Sequence, residues 1–183
     1  GPYQIYSKGF EVKLPADFKG QKWAVSGSTA SKAVELMEGS PTTMSSGELY
    51  LALQRGTING TTRPLITGLG RKLYEVVDNL AVTNMAYFTC VLAINKSKWE
   101  SLPKDVQEVM IEGGKKRDQQ QLMMLEEFMA DAVNQYKEKG VNVHISSPEE
   151  LAKFKEVMIP VHEWWLTKVP DGKKYLDFIA QNK

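Results

Sequence analysis

Residues 48–65 read ELYLALQRGTINGTTRPL, and the fold class turns on this stretch. Its first part carries apolar residues at helical spacing: Leu49, Leu51, Ala52 and Leu53, followed by polar Gln54 and Arg55. Gly56 closes the helix, because glycine takes a left-handed turn without steric cost. Thr57-Ile58-Asn59 reads as a short β-branched strand, and Gly60-Thr61-Thr62 as a turn. Arg63 follows, biased toward extended backbone by Pro64. A helix, a glycine stop, a short strand and a basic residue at its end form the layout of an α/β binding site. Such sites lie beyond the strand ends. The neighbours of Arg63 are small and polar, and its planar fork suits a carboxylate held by two parallel hydrogen bonds. The competing reading is a surface arginine on a loop.

Working outward, residues 3–14 alternate Tyr3, Ile5, Phe10 and Val12 among polar residues and read as an extended lead-in. Residues 15–20 form a short helical turn stopped by Gly20. Trp23-Ala24-Val25 reads as a buried strand ending at Ser26-Gly27-Ser28, and a helix follows until Gly39. Thr42-Thr43-Met44 is a second strand, after which Ser45 or Ser46 is expected to cap the helix of the opening stretch. Beyond Pro64, two glycines weaken a helix that ends near Tyr74. Residues 80–94 form the longest apolar run, read as two consecutive strands or one long bent strand. A short helix spans Ser97 to Leu102. Pro103 then opens a helix reaching about Lys139, a rod of ~54 Å at about 1.5 Å per residue. It is expected to bridge two lobes and to bend at Gly113-Gly114. Its apolar face includes Leu122, Leu125 and Phe128. Val141 to Ile145 alternates as a strand, and Ser147-Pro148-Glu149-Glu150 is a capping box. The helix it starts is kinked at Pro160, and a last amphipathic helix carries Tyr175, Leu176, Phe178 and Ile179. Strands alternating with helices predict an α/β fold with a mostly parallel sheet.

The chain has 183 residues, 42% hydrophobic and 25% charged, a globular composition. A formal net charge of +1 offers no basic face for nucleic acid. No apolar run reaches the roughly 20 residues of a membrane span. The single cysteine, Cys90, cannot form an internal disulfide and reads as a buried thiol. Gly1-Pro2 reads either as the scar of a removed upstream part or as one left by expression. His144 and His162 lack metal-ligand spacing and read as solvated or hydrogen-bonded side chains. Gly68-Leu69-Gly70 lacks the pattern of a phosphate loop. Ser26-Gly27-Ser28 could turn a helix N-terminus toward an anion, or is an ordinary strand–helix turn. Glu126, Glu127 and Asp131 read as solvated charge, and Trp164-Trp165 as packing. No residue set meets the geometry of a reacting centre, so an enzyme ranks third among the readings.

Several motifs in order carry a resemblance. They are Asp17-Phe18-Lys19-Gly20, Ser40-Pro41, Glu48-Leu49-Tyr50 through Gln54-Arg55-Gly56, Asn59-Gly60 with Pro64-Leu65, Tyr74-Glu75-Val76, Thr83-Asn84, Asn95-Lys96, Trp99 and Leu102-Pro103. In these the chain resembles the dicarboxylate-binding-type solute-binding proteins of tripartite ATP-independent periplasmic (TRAP) transporters. The resemblance covers essentially the whole chain, but only the C-terminal portion of a family member. It implies a periplasmic binding protein-like second lobe with a long lobe-spanning helix, the first lobe being largely missing. Residues 1–89 and 130–183 would form the second lobe, and 90–130 a strand and half-helix of the first. It implies a periplasmic, non-enzymatic protein without cofactor. Such a protein captures a small organic carboxylate and hands it to TRAP membrane permease subunits. The alternative is a ligand-sensing or interaction domain of the same ancestry. Apolar surface left by the missing lobe is expected either to be covered by a partner copy, as a homodimer or swapped dimer, or to go with a structure that departs from the family.

The binding positions depart from the family. Where the family commonly places its carboxylate-clamping arginine, this chain has Ala24. Where an aromatic often precedes the Glu-x-Tyr helix, it has Ser46, and where asparagine often precedes Pro-Leu, it has Arg63. The comparison implies that the clamp has moved from position 24 to position 63. Ser26, Thr62, Tyr87 and Phe88 complete the candidate ligand-binding set, with Tyr3 as a further wall. An aromatic or hydroxy monocarboxylate is the expected ligand.

Overall fold

The computed structural model describes residues 1–87 and 91–181, excepting the side chains of Leu122, Glu126 and Ala130. Phe88, Cys90, the bend expected within 80–94, and the roles read for Leu122 and Glu126 fall outside this description. Six strands form one sheet: β1 Pro2–Ser7, β2 Lys22–Val25, β3 Ser40–Thr43, β4 Gly60–Pro64, β5 Asn79–Tyr87 and β6 Asn142–Ile145. Their order is β3-β2-β4-β1-β5-β6. β2 runs parallel to β3 and β4, and β5 runs parallel to β6. β1 lies antiparallel between β4 and β5. Five strands therefore share one direction, as a mostly parallel sheet requires, and one central strand opposes them.

The alternation of side chains sends successive residues of β2 to opposite faces. Trp23 and Val25 join Ile5, Phe18, Val34 and Phe154 on one face. That face is covered by α1 Ser28–Leu36 and α6 Pro148–Leu166. Ala24 joins Tyr6, Leu49, Leu53, Leu65 and Tyr136 on the other. There α2 Leu49–Gln54, α3 Leu65–Gly70 and α5 Lys104–Glu138 cover the sheet. α4 Lys96–Glu100 precedes the long helix, and α7 Gly172–Gln181 ends the description. The buried run Trp23–Val25 of β2 follows from its place between two helical layers. The Tyr6 and Tyr136 hydroxyls lie 3.0 Å apart, and Tyr136 donates to the Leu65 carbonyl at 3.1 Å, tying α5 to β1 and α3.

The opening stretch folds differently in detail from its sequence pattern. The strand is Gly60–Pro64, so the residues that read as a turn are the strand itself. A Cβ on Gly60 would fall 2.4 Å from the Trp23 ring and 2.7 Å from the Tyr6 carbonyl. The glycine is there for close approach. Gly56 does take the left-handed turn, with φ +69°. Neither Ser45 nor Ser46 caps α2. Instead the Ser45 N–H and hydroxyl both donate to the Glu48 carboxylate, at 3.1 and 2.6 Å. The other end of α2 is satisfied by Lys8, whose Nζ donates to the Leu53 and Gln54 carbonyls at 2.8 and 3.2 Å. α1 ends at Leu36, and Glu38, not Gly39, takes the left-handed conformation. Gly39 is held by crowding against Trp23 and Val34. The rod forms as one helix of 35 residues passing through Gly113 and Gly114.

The capping box at Ser147 forms in full: its hydroxyl accepts from the Glu150 N–H, and the Glu150 carboxylate accepts from the Ser147 N–H. His144 sits 2.7 Å from that carboxylate. The Ser147 N–H, then His144, hold the Glu150 carboxyl below its usual value. A lowered folded pKa adds stability above the unfolded value, and this is lost as pH falls through the folded one. Wild-type stability is expected to drop on acidification below about pH 4.5, with that drop smaller in Glu150→Gln, read from denaturant midpoints between pH 6 and 3. Gly60→Ala is expected to cost about 1–3 kcal/mol through overpacking. Gly70→Ala, with open space at its Cβ, is expected to be neutral or slightly stabilising in the same assay.

Candidate binding site at the carboxyl edge of the sheet

The carboxyl ends of β2, β4 and β5 and the start of antiparallel β1 meet at one edge of the sheet. Ser26, Thr62, Tyr87 and Tyr3 all lie there, around a cavity of about 320 Å³ between α1 and α6. Four of the residues singled out from the sequence are thus brought together. Tyr87 stands at the mouth, 75% exposed. Ser26 leads into Gly27, whose φ of +86° turns the chain into α1 without any side-chain cap.

Ala24 and Arg63 occupy the opposite face of the same edge. Ala24 pairs in register with Thr61 of β4, and Arg63 is two residues further along that strand. Arg63 pairs with Gln4 of β1. Both therefore share the face of Ala24, so the lost and the gained positions are neighbours on one surface. Ser46 lies just beyond β3, half-buried, and does not line the cavity. Arg63 is not a loop arginine: it is only 2% exposed. Its Nη1 donates to the Thr62 carbonyl at 2.7 Å, and its Nη2 to the Met44 carbonyl at 3.2 Å. Its Nε is buried without a partner, and among the described residues no carboxylate pairs with it. Burial pulls the guanidinium down from its usual value, and the nearby Tyr3 phenol opposes that. A guanidinium has five N–H donors and no acceptor. Carbonyl dipoles alone leave its charge uncompensated, a costly state for a buried ion.

Gln4 is a feature the sequence did not signal. It is fully buried. Between Tyr3↔Ala86 and Ile5↔Ala81 the pairing of β1 and β5 shifts, so four residues of β5 face one of β1. The Gln4 side chain fills the gap. Its Oε1 accepts from the Thr83 and Asn84 N–H groups at 2.8 and 3.1 Å, and its Nε2 donates to Asn84 Oδ1 at 2.6 Å. Asn84 takes φ +50°, a conformation asparagine tolerates better than most. The arch this creates presents Thr83 and Met85 to the cavity. A lone glutamine in an alternating strand reads as solvent-facing, so only the bulge in β5 reveals it. Among the described residues no group of acids, histidines or cysteines could hold a metal ion. Among them also, no helix is long and apolar enough to cross a membrane.

A family model described as bacterial extracellular solute-binding protein, family 7, matches residues 1–168. The chain belongs to this family. Among its relatives, the C4-dicarboxylate-binding periplasmic protein of Rhodobacter capsulatus is 28% identical over 163 residues, covering 88% of this chain and 49% of that protein. The sialic acid-binding periplasmic protein of Vibrio cholerae is 31% identical over 148 residues, 80% of this chain and 45% of the relative. A TRAP periplasmic solute-binding protein from Desulfovibrio salexigens, solved with bound orotic acid, superposes with a TM-score of 0.87 at 25% identity. It covers 99% of this chain and 59% of its own. The chain thus spans about half the length of the curated relatives it matches. The family and these structural neighbours are solute-binding proteins, not enzymes. The mixed α/β sheet with its flanking helices is their fold.

Removing the Gln4 amide strips one buried and one part-buried N–H group of their acceptor. Gln4→Leu is expected to cost about 1–3 kcal/mol for each. Hydrogen exchange is expected to show the Thr83 and Asn84 amides losing protection before the rest of β5.

Proposed function

We propose that this chain is part of an extracytoplasmic TRAP solute-binding protein that captures a small organic acid anion for membrane permease subunits. The observation that carries the reading is Arg63: a buried cation with an unpartnered Nε at the carboxyl edge of the sheet. An incoming carboxylate supplies the missing counter-charge through charge-assisted, two-pronged hydrogen bonds. The arginine then does from position 63 what the family does from the neighbouring position 24. Ser26, Thr62 and Tyr87 wall the cavity on the other face of the same sheet edge, and Ser46 lies just beyond β3. The relatives' names, C4-dicarboxylate-binding and sialic acid-binding, agree with an acid ligand and a periplasmic location.

The domain reading belongs to the same proposal. Residues 1–89 and 130–183 build the second lobe, and 90–130 belong with the first. Ala132 and Tyr136 of α5 are fully buried against the sheet, whereas Val109, Met123 and Met124 are at least two-thirds exposed. Val91 and Leu92 are more exposed still. A first lobe packed on this surface would close over the cleft by a hinge motion. A homodimer of this chain would cover the same surface, and light scattering distinguishes the two. The exposed apolar surface also keeps the sensor or interaction reading in play, and ligand binding separates it.

In a thermal-shift screen of organic acids on the complete protein, at least one acid is expected to raise the melting temperature. Arg63→Gln is expected to weaken that acid more than tenfold, the loss of about 1.5–3 kcal/mol from a charge-assisted hydrogen bond. An unchanged affinity in this variant would remove Arg63 from the site. A screen without any hit would favour the interaction domain.

A further inference from the structure

We infer that the cavity between α1 and α6 takes an uncharged, apolar end of the ligand, so that the solute is a monocarboxylic acid with an alkyl or aryl body. This rests on the proposal that Arg63 holds the carboxylate. The cavity is walled by Ala30, Ala33 and Val34 of α1 and by Phe154, Met158 and Val161 of α6. Ile5 and Met85 lie between these walls and the sheet. Polar side chains border it from the sheet edge: Ser26, Thr62 and Thr83. No charged side chain lines it among the described residues. A second carboxylate or an ammonium placed there would be desolvated without a counter-charge, which such a site rejects. Water there finds few partners, so an apolar group displaces it favourably.

Two residues join this cavity to the cation. Thr62 lines the cavity, while its carbonyl accepts from Arg63 Nη1. Gln4 also lines the cavity and is the cross-strand partner of Arg63. A ligand lying over the sheet edge beside these two residues would have its carboxylate toward the Arg63 face and its body toward α1 and α6. The volume, about 320 Å³, is at the lower end for small-molecule sites and suits a ring or a chain of several carbons. The small Ala30 and Ala33 on α1 create this room. With Met37 and Val34 below them, they also keep it apolar to its base.

The test is calorimetric titration of the complete protein with acetate, butyrate, hexanoate, succinate and hexanamide. Each methylene added from acetate to hexanoate is expected to tighten binding about fourfold, the value of one buried CH₂. Succinate is expected to bind more weakly than butyrate. Ala30→Trp fills the cavity and is expected to abolish the chain-length gradient. Thr29→Trp, at an exposed lining position, serves the same purpose if Ala30→Trp fails to fold. Equal affinity along the series, preference for succinate, a gradient that survives both fillings, or no binding of any probe overturns the inference. The two readings separate cleanly. If hexanamide binds as well as hexanoate and Arg63→Gln changes neither, the cavity stands and the carboxylate clamp falls. If Arg63→Gln weakens every acid equally and chain length has no effect, the clamp stands and the cavity falls.

Discussion

The sheet depends on β1. Two parallel sets of strands, β3-β2-β4 and β5-β6, have no direct bond to each other. The antiparallel β1 joins them, bonded to β4 on one side and β5 on the other. Because it runs against its neighbours, its first residues lie at their carboxyl ends. A strand that holds the sheet together thus also delivers Tyr3 and Gln4 to the edge where ligands bind in open α/β folds. Its pairing with β5 is imperfect there, and the buried Gln4 amide stands in for the missing backbone partners. Structure and site are served by the same six residues.

From that edge the chemistry divides by face. One face carries Arg63, a buried cation that among the described residues donates to two carbonyls and pairs with no carboxylate. The other opens into a cavity that no charged side chain lines among the described residues. A buried charge without a counter-ion is tolerated where function supplies one. The pairing of one cation with one apolar cavity is the shape of a solute with one acid group. Lobe closure over such a solute would exclude water and strengthen the ion pair. Exposed apolar residues along the middle of α5 mark where a closing partner would sit.

Much of this was legible in the sequence, for definite reasons. Trp23-Ala24-Val25 reads as buried because it sits between two helical layers, and both layers are there. Ser147 and Glu150 form the capping box their spacing requires, since capping is local. The long helix after Pro103 follows from sustained apolar periodicity. Errors arose where tertiary contacts override local preference. Gly60-Thr61-Thr62 carries turn composition but is a strand, because the Trp23 ring fills the space a side chain would need. Ser45 serves Glu48 rather than the helix end. Ser26 reads as a candidate from the strand–helix turn it opens and Tyr87 from the comparison with the family, and both line one cavity with Thr62 and Tyr3. Arg63 and Ala24 lie on the other face, a division no linear pattern displays. Gln4 was invisible because its role exists only through a register shift between residues some 80 positions apart.

The central claim is that the Arg63 guanidinium is the receptor for the ligand's acid group. The most direct measurement is the NMR signal of its Nε–H in the complete protein, assigned through Arg63→Lys and followed while hexanoate is added. A carboxylate hydrogen-bonded to the guanidinium should shift that proton downfield and protect it from exchange, saturating with the calorimetric affinity. A resonance that stays unchanged while hexanoate binds would contradict the account.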